Sequence, residues 1–419
     1  MKKLIALASA SVVVMGLAGC SATTPPLDPA DVSGEIIYNF WDPNYEPTAD
    51  AMIEAFNEEY PDVKVTPIVT PYGQYWTTLQ TQASSDTLPD VFWMDMPYFE
   101  LYASNGQLAP IDGLVESGAI DLAKYPEGLT GFYALGGAQY AVPKDVDTNA
   151  MWLNTRLFEQ AGVPLPEEDW TYEDYRETAK AIQEALGDQG VYGTAFYPYG
   201  QTTYYSSVLA YGGSVVADDG TPGWEEPGSA EGLQVWADVL ADGSSPSLEQ
   251  LTETSADKWF LNGKAAMFPF ICGASVALLG DAPDAADYLA VPLPQAERQA
   301  TTVQGLANVV SAKSKNLAAA QAFQAFLAGE EAQLIQSGTG VTLSAYEGAG
   351  DAFVESHPGL GLQTFVDALD YALPYPVTPG DFWMGSEPTI VAQLFAGAIS
   401  VDEATRQLNE AYDAAVADE

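Results

Sequence analysis

Three arrangements in this sequence could do chemistry on a small molecule: carboxylates in pairs, nucleophiles within reach of a base, and large aromatics set beside acids. The first two fail on inspection. Gly273-Ala274-Ser275-Val276-Ala277 approaches the G-x-S-x-G turn that exposes a nucleophilic serine, but Ala277 stands where the closing glycine belongs. The base it would need is His357, the single histidine, which sits beside Pro358 in a glycine-rich loop. The segment reads as a buried turn of small residues. Gly263-Lys264 is similar to the end of a phosphate-binding loop, yet Ala265 replaces the magnesium-binding hydroxyl and Lys258 the first glycine. Gly338-x-Gly340 lacks the third glycine of a dinucleotide fingerprint. Asp145-x-Asp147-x-Asn149 has the opening spacing of a calcium loop, but Ala150 occupies the glycine position and Arg156 that of the bidentate glutamate. With one histidine and only Cys20 and Cys272 as cysteines, a histidine-based zinc site lacks ligands. Tyr204-Tyr205 could offer phenolates to ferric iron, but adjacent residues of a strand point to opposite faces. The 58 acids include pairs that could hydrolyse glycosides; none lies in a recognisable catalytic segment, so a solvated surface is the ordinary reading for each. No catalytic residue, metal or cofactor is expected.

The third arrangement is informative. Large aromatics sit with acids or amides in Phe40-Trp41-Asp42-Pro43-Asn44-Tyr45, in Phe92-Trp93-Met94-Asp95-Met96-Pro97-Tyr98, in Tyr197-Pro198-Tyr199, in Trp224-Glu225-Glu226 and in Phe382-Trp383, with Asp145-Val146-Asp147 nearby in kind. Flat aromatics offer apolar faces at low entropic cost, and carboxylates accept hydroxyl hydrogens. The combination fits a neutral polyhydroxylated ring, which has an apolar C–H face and a rim of hydroxyls. Each aromatic alone reads as core. Trp41, Trp224 and Trp383 together do not, because each lies beside turn residues or acids.

Strands and helices must carry these clusters, and the hydrophobic pattern alternates between the two. A strand at Glu35–Trp41 is followed by a helix at Thr48–Tyr60, a strand at Val63–Val69, a helix at Tyr75–Ser84 and a short buried strand at Pro89–Met94. That order predicts a mostly parallel sheet with helices on both faces, and ligands then gather at the carboxyl ends of its strands. Further along, Thr171 and Asp174 have capping-box spacing at the head of a helix reaching Leu186. Strands are expected at Ala265–Phe270, Tyr288–Pro292 and Ala307–Ala312, one helix at Leu317–Ser337, and a helical C-terminal third.

Charge excludes whole classes of partner. Fourteen Lys+Arg against 58 Asp+Glu give a formal net charge of -44. So acidic a chain gains nothing from counterion release, which rules out nucleic acid and an anionic membrane surface as main partners. Hydrophobic residues make up 47% of the sequence, enough for large cores, so disorder is excluded too. Lys2 and Lys3 precede an apolar run from Leu4 to Leu17 that is shorter than a membrane span, a secretory-signal pattern. It ends Leu17-Ala18-Gly19-Cys20, similar to a bacterial lipobox with Cys20 as the lipidated first mature residue. The next residues, SATTPPLDPA, read as a stiff polar tether. Residues 1–19 are therefore expected to be a signal peptide and 20–33 the lipidated cysteine and tether. Cys272, beside Phe270 and Ile271, is expected to be buried.

Between these points the chain resembles the extracellular solute-binding lipoproteins of carbohydrate ABC importers, family 1, the maltodextrin and multiple-sugar type. The resemblance runs in order through Trp41-Asp42-Pro43, Tyr60-Pro-Asp-Val-Lys-Val65, Tyr75-Trp-Thr-Thr-Leu79, Leu88-Pro-Asp-Val-Phe-Trp-Met94, Tyr102-Ala-Ser-Asn-Gly106, Val142-Pro-Lys-Asp-Val-Asp147, Leu153-Asn-Thr-Arg-Leu-Phe158, Phe260-Leu-Asn-Gly-Lys-Ala-Ala-Met267 and Val291-Pro-Leu-Pro294. It implies a two-lobed α/β fold of the type II periplasmic-binding-protein kind, each lobe a mostly parallel sheet flanked by helices. Residues 34–144 with 303–345 would form the N-terminal lobe, and 145–302 with 346–419 the C-terminal lobe. Crossings are expected near Lys144, Gln295–Thr302 and Tyr346. The match carries ligand contacts onto Trp41, Asp42, Trp93, Asp95, Met96, Asp147 and Trp383; Trp224 is added from its composition. One departure stands out. The family commonly has Gly then Trp after the Gly-Lys-Ala-Ala-Met segment, where this chain has Gly273-Ala274-Ser275. A stacking platform is missing there, and Phe270 is the candidate replacement.

The implied function is a lipid-anchored, extracytoplasmic monomer that captures a carbohydrate between its lobes and delivers it to the importer's membrane-spanning subunits, without chemistry. The competing expectations are a binder of another solute (polyol, peptide or ferric ion) and an exported glycoside hydrolase.

Overall fold

A computed structural model describes residues 29–280, 282–378 and 382–418. The expected signal peptide and the lipidation site Cys20 lie outside the described residues, as does the side chain of Trp383. The first strand, β1 (Gly34–Phe40), turns Ile36, Tyr38 and Phe40 into the core on the period of two that a strand imposes. Helix α1 (Glu46–Glu59) buries Ala49, Met52, Ile53 and Phe56, one face of a 3.6-residue period, and stops before Pro61. Strand β2 (Val63–Val69) returns parallel to β1, from Val63 beside Gly34 to Val69 beside Phe40. Helix α2 (Tyr72–Ser84) leads to β3 (Val91–Met94), all four residues of which are buried, and α3 (Met96–Ser104) follows.

A second sheet is built from β4 (Asn149–Asn154), β5 (Tyr192–Thr194), β6 (Ala265–Ile271) and β7 (Tyr288–Val291), in the order β5-β6-β4-β7. Strand β8 (Thr301–Val303) pairs with β10 (Ala372–Pro374), and β9 (Ala307–Val310) closes the first sheet in the order β9-β3-β1-β2. The parallel expectation holds for β1 with β2 and β3. It fails at β9, which is antiparallel to β3, and in the second sheet, where β5–β6 is parallel but β4 runs antiparallel to both β6 and β7. The reason is the route. Strand β4 is entered directly from an extended crossing, with no helix to reverse the chain, so it meets its neighbours head to tail.

The helices of the second sheet and of the later chain include α4 (Thr155–Ala161), α5 (Tyr172–Leu186), α6 (Tyr204–Ala210), α7 (Pro227–Ala241), α8 (Cys272–Leu279), α9 (Leu317–Leu327), α10 (Glu330–Gly338), α11 (Glu387–Phe395) and α12 (Val401–Asp418). The capping box of α5 is present, with Thr171 and Asp174 bonding each other's backbone N–H. Two expectations change. The single helix at 317–337 is two, α9 and α10, because Gly329 takes an extended conformation and heads the second. Tyr204 and Tyr205 open a helix, not a strand, so their side chains are about 100° apart instead of on opposite faces, and both hydroxyls reach Glu387. Helices α6 and α7 touch closely; a Cβ at Gly232 would lie 2.4 Å from the Val208 nitrogen.

The chain passes three times between the sheets, and the passes lie side by side. Segment 143–147 bridges Ala307 through Pro143, Ser344 through Asp145 and Gln304 through Asp147. Lys144 N–H donates to the Leu306 carbonyl at 2.7 Å, and Val146 N–H to that of Leu343 at 2.9 Å. The approach is close enough that a Cβ at Gly305 would lie 2.0 Å from the Asp145 carbonyl oxygen.

Glu387 fastens the C-terminal helices to this frame. Its carboxylate is 2% exposed and accepts from the Tyr204 and Tyr205 hydroxyls at 2.7 and 2.9 Å, tying α11 to α6. Burial pushes this carboxyl up to about 7, against the pull of the two donors. A raised folded value means that the folded protein keeps a proton the unfolded chain has released. Stability from this group is therefore full below its usual 4.5 and is lost as pH rises through about 7. Glu387→Gln keeps the bonding and removes the titration. Its melting temperature should fall less between pH 5 and pH 8 than the parent's, by about 2 °C or more on the scale of ~1 kcal/mol in a large domain.

Candidate functional site

Four strands end at one place. Trp41 and Asp42 follow β1, Asp95 follows β3, Tyr197 and Tyr199 follow β5, and Phe270 lies at the end of β6; all line a single cavity of about 640 Å³. Its back wall is the crossing, which supplies Lys144, Asp145, Asp147, Gln304 and Thr342. The volume is within the range of small-molecule sites.

The aromatic wall is held from behind. Trp93 donates its indole N–H to the Tyr38 hydroxyl at 2.9 Å, which donates in turn to Asn308 Oδ1 at 3.0 Å. The Tyr75 hydroxyl holds the Trp93 carbonyl at 2.9 Å. Trp41 packs edge-on against Trp93 and Tyr75, ring centres 4.9 Å apart in both cases. Trp41 itself stays partly exposed to the cavity. Across from it, Phe270 stacks on Phe268 with centres 4.9 Å apart and lies 5.5 Å from Tyr197.

The charges are unequal. The Lys144 and Asp145 side chains are each about 2% exposed and pair at 2.5 Å. The ammonium also lies 4.0 Å from the Trp93 ring centre and 4.7 Å from that of Tyr45, an arrangement worth most when water is excluded. Asp145 ties the passes together, accepting from Leu306 N–H at 2.7 Å and from the Thr342 hydroxyl at 3.3 Å. With Lys144 paired to Asp145, Asp42, Asp95 and Asp147 face the cavity with no ion-pair partner within 4 Å among the described residues, although the Lys144 charge still pulls on Asp147. Asp95 accepts from Met96 N–H at 2.8 Å, yet burial raises its carboxyl to about 7. Asp147 sits at the head of α8, accepting from Gly273 N–H at 3.0 Å and Cys272 Sγ at 3.1 Å; burial, then the nearby Asp145, raises it to about 6. Asp42 caps the turn after β1, accepting from Asn44 N–H at 2.9 Å. The cavity therefore presents apolar faces, hydrogen-bond acceptors and negative potential. Gln201 and Gln304 add amides: each is 8% exposed, lines the cavity, and makes no side-chain hydrogen bond among the described residues.

Of the residues singled out from sequence, Trp41, Asp42, Trp93, Asp95, Asp147 and Phe270 meet at this cavity. Met96 does not: its side chain is packed in the core, and only its backbone N–H reaches the site. Trp224 does not either. It is fully buried beside Tyr204 and Tyr205, ring centres about 6 Å away, because the turn carrying it folds under α6 and α7. Those two tyrosines commit their hydroxyls to Glu387, which removes the iron-phenolate arrangement. Tyr197, Tyr199 and Asp145 lay in clusters visible in the sequence. Lys144, Gln304 and Thr342 carried no such signal, since only the crossing brings them together. Cys272 is buried, as expected, and burial raises its thiol far above the usual value.

The Lys144–Asp145 pair can be tested for its structural weight. Lys144→Met leaves Asp145 buried without its cation and should lower unfolding free energy by about 3–5 kcal/mol. Adding Asp145→Asn, which removes the orphaned charge, should recover part of that loss in urea unfolding.

Residues 42–334 match the family described as bacterial extracellular solute-binding protein. A Brucella abortus protein named as a binding protein is 25% identical over 232 residues, 54% of this chain and 55% of its own length. The arabinooligosaccharide-binding protein of Halalkalibacterium halodurans is 30% identical over 142 residues, 33% of this chain and 31% of its own length. The chain thus spans about half the length, or less, of these curated relatives. The solved ABC substrate-binding protein of Listeria monocytogenes, in complex with cycloalternan, superposes with a TM-score of 0.82 at 23% identity, over 92% of this chain and 99% of that one. The two share the two-lobed fold. Since the family match takes in most of the chain, the protein belongs to the bacterial extracellular solute-binding proteins.

Proposed function

We propose that this protein captures a neutral carbohydrate in the cleft between its lobes and delivers it to the membrane-spanning subunits of an ABC importer, itself held outside the membrane by lipid on Cys20. The observation that carries the reading is the cavity in which aromatic faces meet carboxylates that have no ion-pair partner among the described residues. Trp41 and Phe270 face it from opposite lobes and stack on the apolar face of sugar rings. Asp42, Asp95 and Asp147 accept hydroxyl hydrogens, and the amides of Gln201 and Gln304 complete the rim. Trp383 joins the stacking set on the resemblance of its segment. Sugar acids and sugar phosphates are rejected, because each would bring a further negative charge beside the three aspartates. Related proteins support the substrate class: the Halalkalibacterium relative is named for arabinooligosaccharide, and the Listeria structure holds cycloalternan.

Binding needs no bond to break. The three passes between the lobes act as the hinge. A ligand that touches both lobes favours the closed form by the contacts it makes only there. No cofactor takes part, and the protein works as a monomer.

The deciding experiment is thermal unfolding of the purified protein against neutral sugars, polyols, sugar acids and iron salts. A ligand at a hundredfold excess over its Kd adds about 2.7 kcal/mol, so one neutral sugar class should raise the melting temperature while sugar acids and iron leave it unchanged. Reducing ends should not accumulate. Trp41→Ala should weaken that sugar by roughly 1–3 kcal/mol, the scale of a buried large side chain. Unaltered affinity would remove Trp41 from the site. The ionised carboxylates are the acceptors, so binding releases protons, and affinity should fall from pH 8 to pH 5. Asp147→Asn should flatten that dependence in calorimetry.

A further inference from the structure

The buried thiol of Cys272 touches a carboxylate that faces the cleft. Cys272 opens α8 just past β6 and is 0% exposed. Its Sγ lies 3.1 Å from Oδ1 of Asp147 and 3.2 Å from the Val146 carbonyl oxygen, both on the first pass between the lobes. Its own N–H donates to the Thr148 carbonyl at 3.1 Å, which seats the side chain against that pass. Gly273 N–H donates to the same Oδ1 at 3.0 Å. Residue 273 must be small for this, since a Cβ there would lie 3.0 Å from Oδ1 and 3.4 Å from the Thr342 hydroxyl. Two donors thus enclose Oδ1. Oδ2 makes no hydrogen bond among the described residues, and Asp147 lines the cavity.

One S–H proton has two acceptors within reach. An ionised carboxylate accepts more strongly than a neutral carboxyl or a carbonyl. The proton therefore turns to Asp147 when that residue is charged and to the Val146 carbonyl when it is not, so the thiol favours the charged state. It stays a donor across the working pH range, because burial and then the adjacent Asp147 hold the thiol far above its usual value.

We infer that Cys272 is a positioning residue for ligand capture: its thiol and the Gly273 N–H hold Oδ1 of Asp147, which leaves an ionised Oδ2 to accept a ligand hydroxyl and keeps capture working in mild acid. The inference rests on the carbohydrate reading of the cleft. Burial and the neighbouring Asp145 raise Asp147 to about 6, while Cys272 and Gly273 on α8 and Lys144 on the same pass pull it down. Asp95, just past β3, also feels its charge. The second pass brings Gln304 and the third Thr342, neither of which titrates. Cys272 is the group among these that can be exchanged without altering a charge or the backbone.

Cys272→Ala removes the donor, and Cys272→Ser keeps one. The Asp147 carboxyl resonance, identified by its loss in Asp147→Asn, is followed by carbon NMR as pH is varied without ligand. Its midpoint should rise by about half a pH unit in Cys272→Ala, the scale of one weak hydrogen bond to a charge. In Cys272→Ser it should stay at or below the parent's. Calorimetry with neutral α- and β-linked oligosaccharides should then find Cys272→Ala about threefold weaker than the parent at pH 5 and less than twofold weaker at pH 8. Lost packing alone would lower the melting temperature of the variants and move neither midpoint. In the unaltered protein, the infrared S–H band of the buried thiol should shift to lower frequency as pH rises through the Asp147 midpoint, a readout that does not depend on a variant folding. An unmoved midpoint in Cys272→Ala, a Cys272→Ser midpoint as high as that of Cys272→Ala, or an S–H band indifferent to pH overturns the role of Cys272 and leaves the carbohydrate reading standing. A parent that binds no member of the oligosaccharide series overturns both.

Discussion

A lysine and an aspartate, both almost wholly withdrawn from water, meet where three passes of the chain run side by side. Neither charge could be buried alone; the cost would be several kcal/mol for each ion. Together they are compensated, and the compensation is geometric. The Lys144 ammonium needs Asp145 at one side and the faces of Trp93 and Tyr45 at the other. Asp145 in turn needs the Leu306 N–H from the second pass and the Thr342 hydroxyl from the third. The pair therefore fixes the register of the crossing and the orientation of the aromatic wall together. It also uses up the one lysine that lines the cavity among the described residues, which leaves the remaining aspartates to dominate the potential that a ligand meets.

From that constraint the rest of the site follows. Strands β1 and β3 of one sheet and β5 and β6 of the other end toward the crossing, so the residues just past their carboxyl ends converge there. Buried hydrogen bonds lock each platform: Trp93 through Tyr38 to Asn308, and Asp147 through the first turn of α8. A preorganised wall costs a ligand little ordering entropy.

Sequence reading reached the fold through periodicity and order. The α1 face, the short buried β3 and the capping box of α5 were legible because local rules decide them: one helical period, one apolar run, one Thr-x-x-Asp spacing. It misread what depends on distant partners. Trp41 and Trp224 look alike in sequence, each beside acids and a turn, yet one faces the cavity and the other lies under α6 and α7. Tyr204 and Tyr205 read as a strand pair, but they begin a helix, and a buried Glu387 some 180 residues away takes both hydroxyls. Met96 stands next to a site residue and turns into the core because it begins a helix there.

The sequence by itself determined the alternation of strands and helices, the acidic character that excludes polyanions, and the chemical vocabulary of aromatics beside carboxylates. These are properties of composition and short-range spacing. Only the tertiary structure decided which of those residues share a cavity, that Lys144 is spent on Asp145, and that the second sheet is mixed in direction. These turn on contacts between segments distant in the chain: even Lys144 and Asp145, neighbours in sequence, are held as a buried pair by Leu306 and Thr342, which the crossing brings beside them.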